Sequence, residues 1–286
     1  MSTERFSELN CGRPRKRGNH GQKRDCGLTP QPLDQTPGVV AFMAPQPERL
    51  GFATAEIPMP ELQDSTDLRR FMVDRQIRTY DVTDQTLLER FLDVPREAFV
   101  PDALVPLAYS DRAIELGEGQ GGRNLLAPLV LAKLLQAAVI RPTDRVLDVA
   151  GGYGYTAALV SGLCAAVVAL EDDAARTARA SVLFQTYKLT NASAVTGDFV
   201  NPVAVKGPFD LIIVNGGVET GLDPLFALLP DGGRLVAIER ASDDPTGRAG
   251  KARRYDKIGG VVSSRALFDS VARVLPAFAR KPEFVF

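Results

Sequence analysis

A glycine-rich turn between an apolar strand and a helix constrains the fold of this chain more than any other segment. Residues 146–158 read V-L-D-V-A-G-G-Y-G-Y-T-A-A, and the first four are apolar except for Asp148. Gly152 and Gly154 allow a sharp turn and a close approach of the backbone to a ligand, and Tyr155 opens a run of helix-forming residues. Such a turn suits an adenosine-type cofactor. Because Gly-x-Gly-x-x-Ala also fits dinucleotide-binding proteins, the motif alone leaves two cofactor classes open.

Strand-like and helix-like segments alternate after this turn. Apolar runs typical of buried strands cover residues 165–170, 192–196, 209–214 and 234–238, and helical segments cover 174–188 and 224–229. This alternation predicts an α/β fold with a doubly wound, mostly parallel sheet. Ligands of such sheets bind at the carboxyl ends of the strands.

Three acidic residues lie at or just after the ends of the predicted strands. They help to decide which of the two cofactor classes the chain binds. Asp148 is placed to accept from the amino group of a methionine-type moiety, Glu171 from both ribose hydroxyls, and Asp198 from the adenine amine. Taken singly, Glu171 could equally be a solvated acid at the end of a strand. Asp198 could equally be a turn-forming residue after a strand. Taken together and in this order, with Gly152, Gly154 and Tyr155, they favour S-adenosylmethionine over NAD as the cofactor.

Motifs along most of the chain resemble one enzyme family. They are M-V-D-R-Q-I-R at 72–78, V-P-R-E-A-F-V-P at 94–101, A-Y-S-D at 108–111 and L-G-E-G-Q at 116–120. From about residue 67 to residue 286 the chain resembles the protein-L-isoaspartate O-methyltransferases. The resemblance implies a Rossmann-like class I methyltransferase fold with a helical N-terminal lead-in. It also implies methyl transfer from S-adenosylmethionine to the α-carboxylate of an isoaspartyl residue in a damaged protein.

The chain departs from the family pattern in the segment expected to face the substrate. Residues 121–128 read G-G-R-N-L-L-A-P, three residues longer than the family's T-I-S segment, and Leu126 stands where the resemblance implies a serine tied to catalysis. Ala150 replaces the first glycine of the motif. The catalytic residues therefore stay unassigned at this point.

Four polar residues are candidates for positioning the substrate. Gln120 offers both a donor and an acceptor, Arg123 suits a carboxylate, and Asn124 suits a peptide group. Asn215 follows the predicted strand 209–214, where its position is similar to that of the polar group that amine and amide methyltransferases often place facing the methyl group. The alternatives are a solvated loop arginine for Arg123, a cap of the helix predicted over 127–138 for Asn124, and a turn before two glycines for Asn215.

The residue types present limit the reactions that the protein is expected to catalyse. A carboxylate is ionised at neutral pH and needs no general base to accept a methyl group. The only histidine is His20, far from the predicted sheet, so neither a Ser-His-Asp triad nor a histidine metal site is expected. Two functions stay open: a methyltransferase acting on a protein, peptide or small-molecule carboxylate, and an S-adenosylmethionine-binding protein that has lost catalysis and serves as a sensor or partner subunit.

Charge and composition indicate the expected partners of the protein and the regions into which the chain divides. With 34 basic and 35 acidic residues, no nucleic acid or membrane partner is expected, and the absence of a signal-peptide pattern predicts a cytoplasmic protein. Residues 1–62 carry eight of the twenty prolines and are predicted to be a disordered extension. Residues 63–140 are predicted to form a helical lead-in with the substrate loop, and 141–286 the cofactor-binding sheet. Within the latter, residues 241–257 are predicted to form an exposed loop.

Overall fold

The computed structural model describes residues 64–117, 123–240 and 250–280. The first of these segments is helical, as the sequence predicts. Helix α1 spans Ser65–Phe71 and continues as a π-helical turn over Met72–Ile77, and α2 spans Gln85–Asp93. Aspartates cap both helices, since Asp64 accepts from the backbone N–H of Thr66 and Asp84 from that of Leu87.

A short antiparallel ribbon and a helix connect the lead-in to the sheet. Strands β1 (Ile114–Glu115) and β2 (Asn124–Leu125) pair with Ile114 opposite Leu125. Helix α3 then spans Pro128–Ala138, close to the predicted 127–138. Proline suits the first position of a helix because its missing N–H has no helical partner there.

Seven strands form the main sheet, in the order β5-β4-β3-β6-β7-β8-β9. They are β3 Arg145–Val149, β4 Ala166–Glu171, β5 Ala192–Thr196, β6 Leu211–Val218, β7 Arg234–Arg240, β8 Gly250–Ile258 and β9 Val261–Asp269. The helices between them are α4 Tyr155–Ser161, α5 Ala174–Thr186 and α6 Asp223–Ala227. Strands β3 to β7 are parallel, and β8 and β9 are antiparallel. The predicted α/β fold with a mostly parallel sheet is confirmed.

The strand order reverses beside β3, which pairs with β4 on one side and with β6 on the other. At such a reversal the loops leave the sheet in opposite directions and open a crevice at the carboxyl ends of the strands. Asp148 and Glu171 lie at the carboxyl ends of β3 and β4, and Asn215 lies within β6 just past Val214, the residue that pairs with the last residue of β3. The topology therefore brings these three residues to one edge of the sheet.

Both faces of the sheet are covered, as parallel sheets require. Val146 packs in the core shared with the lead-in helices, α3 and α4, whereas its neighbour Leu147 packs in the core on the opposite face. Because successive side chains of a strand point to opposite faces and both faces are covered, Val146, Leu147 and Val149 of β3 are all apolar and buried. The one polar residue in its buried part is Asp148.

Two of the predicted boundaries are wrong. The turn expected at Asn215 is instead part of β6, because the Gly217 N–H donates to the Arg273 carbonyl at 2.8 Å and extends the strand. The predicted loop 241–257 is a strand from Gly250 onward, because it pairs with both β7 and β9. Its charged composition hid that pairing from sequence analysis, and residues 241–249 lie outside the described residues.

Other predictions concern parts of the chain that the structure does not describe. The extension predicted for residues 1–62 and the candidate Gln120 both lie outside the described residues. Among the residues that are described, no helix is long and apolar enough to cross a membrane.

Candidate functional site

The glycine turn after β3 lies against Asp148. Gly152 and Gly154 adopt φ angles of 68° and 89°, the left-handed region that glycine occupies without strain. A Cβ atom on Gly151 would lie 2.4 Å from Asp148 Oδ2, so a side chain at this position would collide with the carboxylate. Ala150 also has a positive φ, 61°, which costs a residue with a side chain about 1 kcal/mol.

Asp148 is fully buried, and a side-chain amide bonds one of its two oxygens. Asn215 Nδ2 donates to Asp148 Oδ1 at 2.5 Å and to the Val149 carbonyl at 3.1 Å. The Thr156 hydroxyl donates to Asn215 Oδ1 at 2.7 Å, which orients the amide. Asp148 Oδ2 has no hydrogen-bond partner among the described residues. Burial raises the pKa of Asp148 to about 7, and the Asn215 hydrogen bond partly opposes that rise.

This arrangement fits the cofactor predicted from the sequence. A buried carboxylate oxygen without a partner is costly unless a ligand supplies a donor, and the amino group of S-adenosylmethionine is such a donor. The glycines of the turn keep the space beside this oxygen clear of protein side chains.

Glu171 lies across the turn from Asp148 and is also buried. The Gly152 N–H donates to Glu171 Oε1 at 2.5 Å, and Arg123 Nε donates to Oε2 at 3.2 Å. Burial raises the pKa of the Glu171 carboxyl above its usual value, and the Arg123 guanidinium opposes the rise. The predicted ribose acceptor therefore reaches the glycine turn, and its partners here are groups of the protein itself, including a longer ion pair with Arg176 at 4.0 Å.

Arg123 is buried, with 1% of its side chain exposed, and is not the solvated loop residue considered above. Its guanidinium also lies 2.5 Å from Asp172 Oδ1 and 4.9 Å from the centre of the Phe199 ring. The sequence predicts that Arg123 pairs with a carboxylate. In the structure the carboxylates beside it belong to the protein, and its role toward a substrate stays a prediction.

A cavity of about 250 Å³ adjoins this group of residues. Its lining includes Asp111, Arg112, Asn124, Leu126, Asn215 and Arg273. Asn215 therefore forms part of the cavity wall while its amide holds Asp148. Asn124 Oδ1 is buried without a hydrogen-bond partner among the described residues, so a donor entering the cavity would satisfy it. Two of the four substrate candidates, Asn124 and Asn215, thus meet at one cavity.

Comparison with known proteins assigns the family. The model of the protein-L-isoaspartate(D-aspartate) O-methyltransferase family matches residues 69–263. The chain belongs to this family. It is therefore an S-adenosylmethionine-dependent methyltransferase.

Individual relatives agree with this assignment. The protein-L-isoaspartate O-methyltransferase of Koribacter versatilis is 35% identical over 194 residues, which are 68% of this chain and 80% of the relative. That of Pelotomaculum thermopropionicum is 38% identical over 171 residues, 59% of this chain and 72% of the relative.

Solved structures agree on the fold. A protein-L-isoaspartate O-methyltransferase superposes with a TM-score of 0.61 at 23% identity, covering 73% of this chain and 65% of the other. A putative one from Plasmodium falciparum, in complex with S-adenosyl-L-homocysteine, has a TM-score of 0.60 at 17% identity, with coverages of 74% and 98%.

Two cofactor candidates of this methyltransferase have side chains engaged within the protein. Tyr155 is fully buried, with its ring packed against Phe91 and Phe99 and beneath Arg96, so only its backbone can contact a ligand in the crevice. Asp198 is exposed after β5, and its Oδ1 accepts from the backbone of Val200 at 2.8 Å. Both roles in cofactor binding stay predictions.

Sequence analysis did not single out Leu116, Phe199 or Arg273 as site residues. Leu116 and Phe199 are apolar residues that pattern analysis assigns to the core. Arg273 contacts Glu115 at 2.8 Å across 158 residues of sequence, and no local pattern signals such a pairing.

Proposed function

We propose that this methyltransferase transfers the methyl group of S-adenosylmethionine to a carboxylate of a protein or peptide, with an isoaspartyl residue as the acceptor to test first. Family membership supports the reaction, and the names of its relatives support the acceptor. The observation that carries the cofactor placement is the buried, unpartnered Oδ2 of Asp148 beside the glycine turn.

The proposed cofactor contacts follow from the crevice. Asp148 Oδ2 accepts from the amino group, Glu171 from the ribose hydroxyls and Asp198 from the adenine amine. Gly152 and Gly154 allow the backbone to approach closely, and Tyr155 contributes its backbone. Bound there, the cofactor supplies a methyl group made electrophilic by its positively charged sulfur.

The acceptor is proposed to enter the cavity beside Asn215. A carboxylate reaches it already ionised, so the protein has to position and dehydrate the acceptor rather than remove a proton. Asn124 Oδ1 is suited to accept from a peptide N–H. Arg112 is proposed to attract the acceptor carboxylate in this cavity, which Asp111 and Arg273 also line, with Arg273 already paired to Glu115.

The test is a methylation assay with an isoaspartyl peptide, its aspartyl twin and a small-molecule extract. We expect selective methylation of the isoaspartyl peptide, at a low rate because the family's serine is Leu126 here. One oriented hydrogen bond to a transition state commonly accelerates a reaction by about 10²–10³. Methylation of the extract alone would identify a different acceptor.

Leu126 also favours a second candidate function, a binding protein without catalysis. Its buried side chain gives the cavity wall an apolar surface where the resemblance implies a hydroxyl. No methyl transfer to any acceptor, combined with tight binding of S-adenosylhomocysteine, would favour this alternative.

Two substitutions at Leu126 distinguish the effect of adding a hydroxyl group from the effect of removing side-chain volume. Leu126→Ser restores a hydroxyl, and Leu126→Ala removes similar volume without adding one. We expect faster isoaspartyl methylation by the serine variant than by the alanine variant. Equal rates would show that a hydroxyl at this position does not act in this protein.

A further inference from the structure

Arg123 lies where the proposed cofactor needs Glu171. Its Nε donates to Glu171 Oε2, and the Gly152 N–H donates to the other carboxylate oxygen, so both oxygens already have partners. The guanidinium also faces the ring of Phe199, which directly follows Asp198. The space between the proposed ribose and adenine contacts is thus occupied by a side chain of the protein.

The way Arg123 is held differs from that of a structural buried arginine. Arg234 is equally buried, and all three of its guanidinium nitrogens donate hydrogen bonds, to Asp144 and to backbone carbonyls. Arg123 has fewer partners: its Nε donates to Glu171 Oε2, its Nη2 pairs with Asp172 Oδ1 at 2.5 Å, and its Nη1 makes no hydrogen bond within the described residues. Because Nη1 is unsatisfied and the Asp172 side chain is partly exposed, the Arg123 guanidinium is displaced at lower cost than the fully bonded one of Arg234.

The β1–β2 ribbon places a second side chain over the glycine turn. The Leu116 N–H donates to the Arg123 carbonyl at 2.7 Å, which joins the two residues across the ribbon. A Cβ on Gly152 would lie 2.2 Å from Leu116 Cδ1. One ribbon therefore covers both Gly152, through Leu116, and Glu171, through Arg123.

We propose that Arg123 is an internal competitor for the ribose subsite, so that its guanidinium and the cofactor bind Glu171 in turn. The inference rests on the proposed placement of the ribose at Glu171. The apparent affinity of a ligand equals its intrinsic affinity multiplied by the fraction of protein that can bind it. If Arg123 occupies the subsite about 90% of the time, the cofactor therefore binds about tenfold more weakly than to an open crevice. Arg123 in this way sets the affinity of the methyltransferase for its cofactor.

Calorimetric titration of S-adenosylhomocysteine and of adenosine into the full chain tests this. Arg123→Met and Arg123→Gln both remove the competitor's charge, and Gln keeps a polar head. We expect each variant to bind both ligands at least about tenfold more tightly than the wild type. The free variants should melt at a lower temperature than the wild type, because Glu171 loses a buried partner.

Arg176→Met is the matched control. Arg176 Nη1 lies 4.0 Å from Glu171 Oε2 and 3.4 Å from Asp172 Oδ1, so this change also removes a positive charge beside the same carboxylates. We expect no gain in affinity from it. An equal gain in the Arg123 and Arg176 variants would mean that charge, and not occupancy of the subsite, controls binding, and would overturn the proposal.

A crystal structure of the wild-type complex with S-adenosylhomocysteine provides a test that needs no variant. The Arg123 guanidinium should have left Glu171, with the ribose in its place. Arg123 still bonded to Glu171 beside a bound ribose, or weaker binding by the Arg123 variants, would show that it is a cofactor ligand instead. Binding by the wild type without a gain in the variants would refute this inference alone, whereas no binding by any form would refute the proposed function as well.

Discussion

Asp148 is a buried carboxyl group with a proposed role in cofactor binding, so we expect its protonation and the cofactor affinity to be coupled. Asn215 and Thr156 orient one oxygen, and the other has no hydrogen-bond partner among the described residues. Burial raises the pKa of Asp148 to about 7. Because the folded-state value exceeds the unfolded one, this group favours folding of the free protein below about pH 4 and loses that contribution as the pH rises toward 7.

The same pKa predicts how binding varies with pH. The cationic amino group of the cofactor binds the ionised form of Asp148, so affinity for S-adenosylhomocysteine should fall by up to about tenfold per pH unit below pH 7. Calorimetry between about pH 5 and about pH 8 measures the change. Asp148→Asn should bind more weakly and lose most of this dependence. A wild-type affinity that stays constant over this range would contradict the assignment of Asp148.

Strand β6 depends on a segment far away in sequence. Residues 270–275, here called the strap, cross its carboxyl end, where Gly217 N–H donates to the Arg273 carbonyl and Leu275 N–H to the Gly217 carbonyl. Four strap residues, Val271, Ala272, Arg273 and Leu275, also line the cavity beside Asn124. The strap therefore holds both the end of β6 and one wall of the proposed acceptor site.

Two neighbouring glycines of β6 show how closely the strap packs against this strand. A Cβ on Gly217 would lie 2.8 Å from the Ala272 carbonyl oxygen, whereas one on Gly216 would lie 2.6 Å from the Leu275 side chain. A backbone carbonyl cannot move without the strap, but a leucine side chain can change its rotamer. Gly217→Ala should therefore lower the free energy of unfolding by about 1–3 kcal/mol, and Gly216→Ala by less. Denaturant unfolding measures both, and the reverse order would show that the strap is not packed as described.

The molecule as a whole is expected to fold without its first 62 residues. That segment is rich in proline and lacks the apolar periodicity needed to join a core. Deleting residues 1–62 should leave the melting temperature and the affinity for S-adenosylhomocysteine unchanged. Thermal unfolding and calorimetry of the truncated and full chains check this. A large drop in melting temperature would mean that the segment packs against the methyltransferase.

The sequence by itself determined the elements around the glycine turn. The predicted strand 192–196 matches β5, and the start predicted for α4, Tyr155, matches as well. These features depend on local properties: apolar runs specify buried strands, and glycines specify a turn with positive φ. For the same reason, the acids at the carboxyl ends of β3 and β4 were identifiable before the structure was known.

Only the tertiary structure decided which of these groups meet. It paired Arg123 with Glu171, extended β6 through Asn215 to the strap, and turned the charged segment after residue 250 into β8. The first two are contacts between residues distant in sequence: Arg123 and Glu171 are 48 apart, and Gly217 of β6 bonds to Arg273 of the strap. Local patterns do not encode such contacts, because their free energy arises from burial and pairing that exist only once the sheet has assembled.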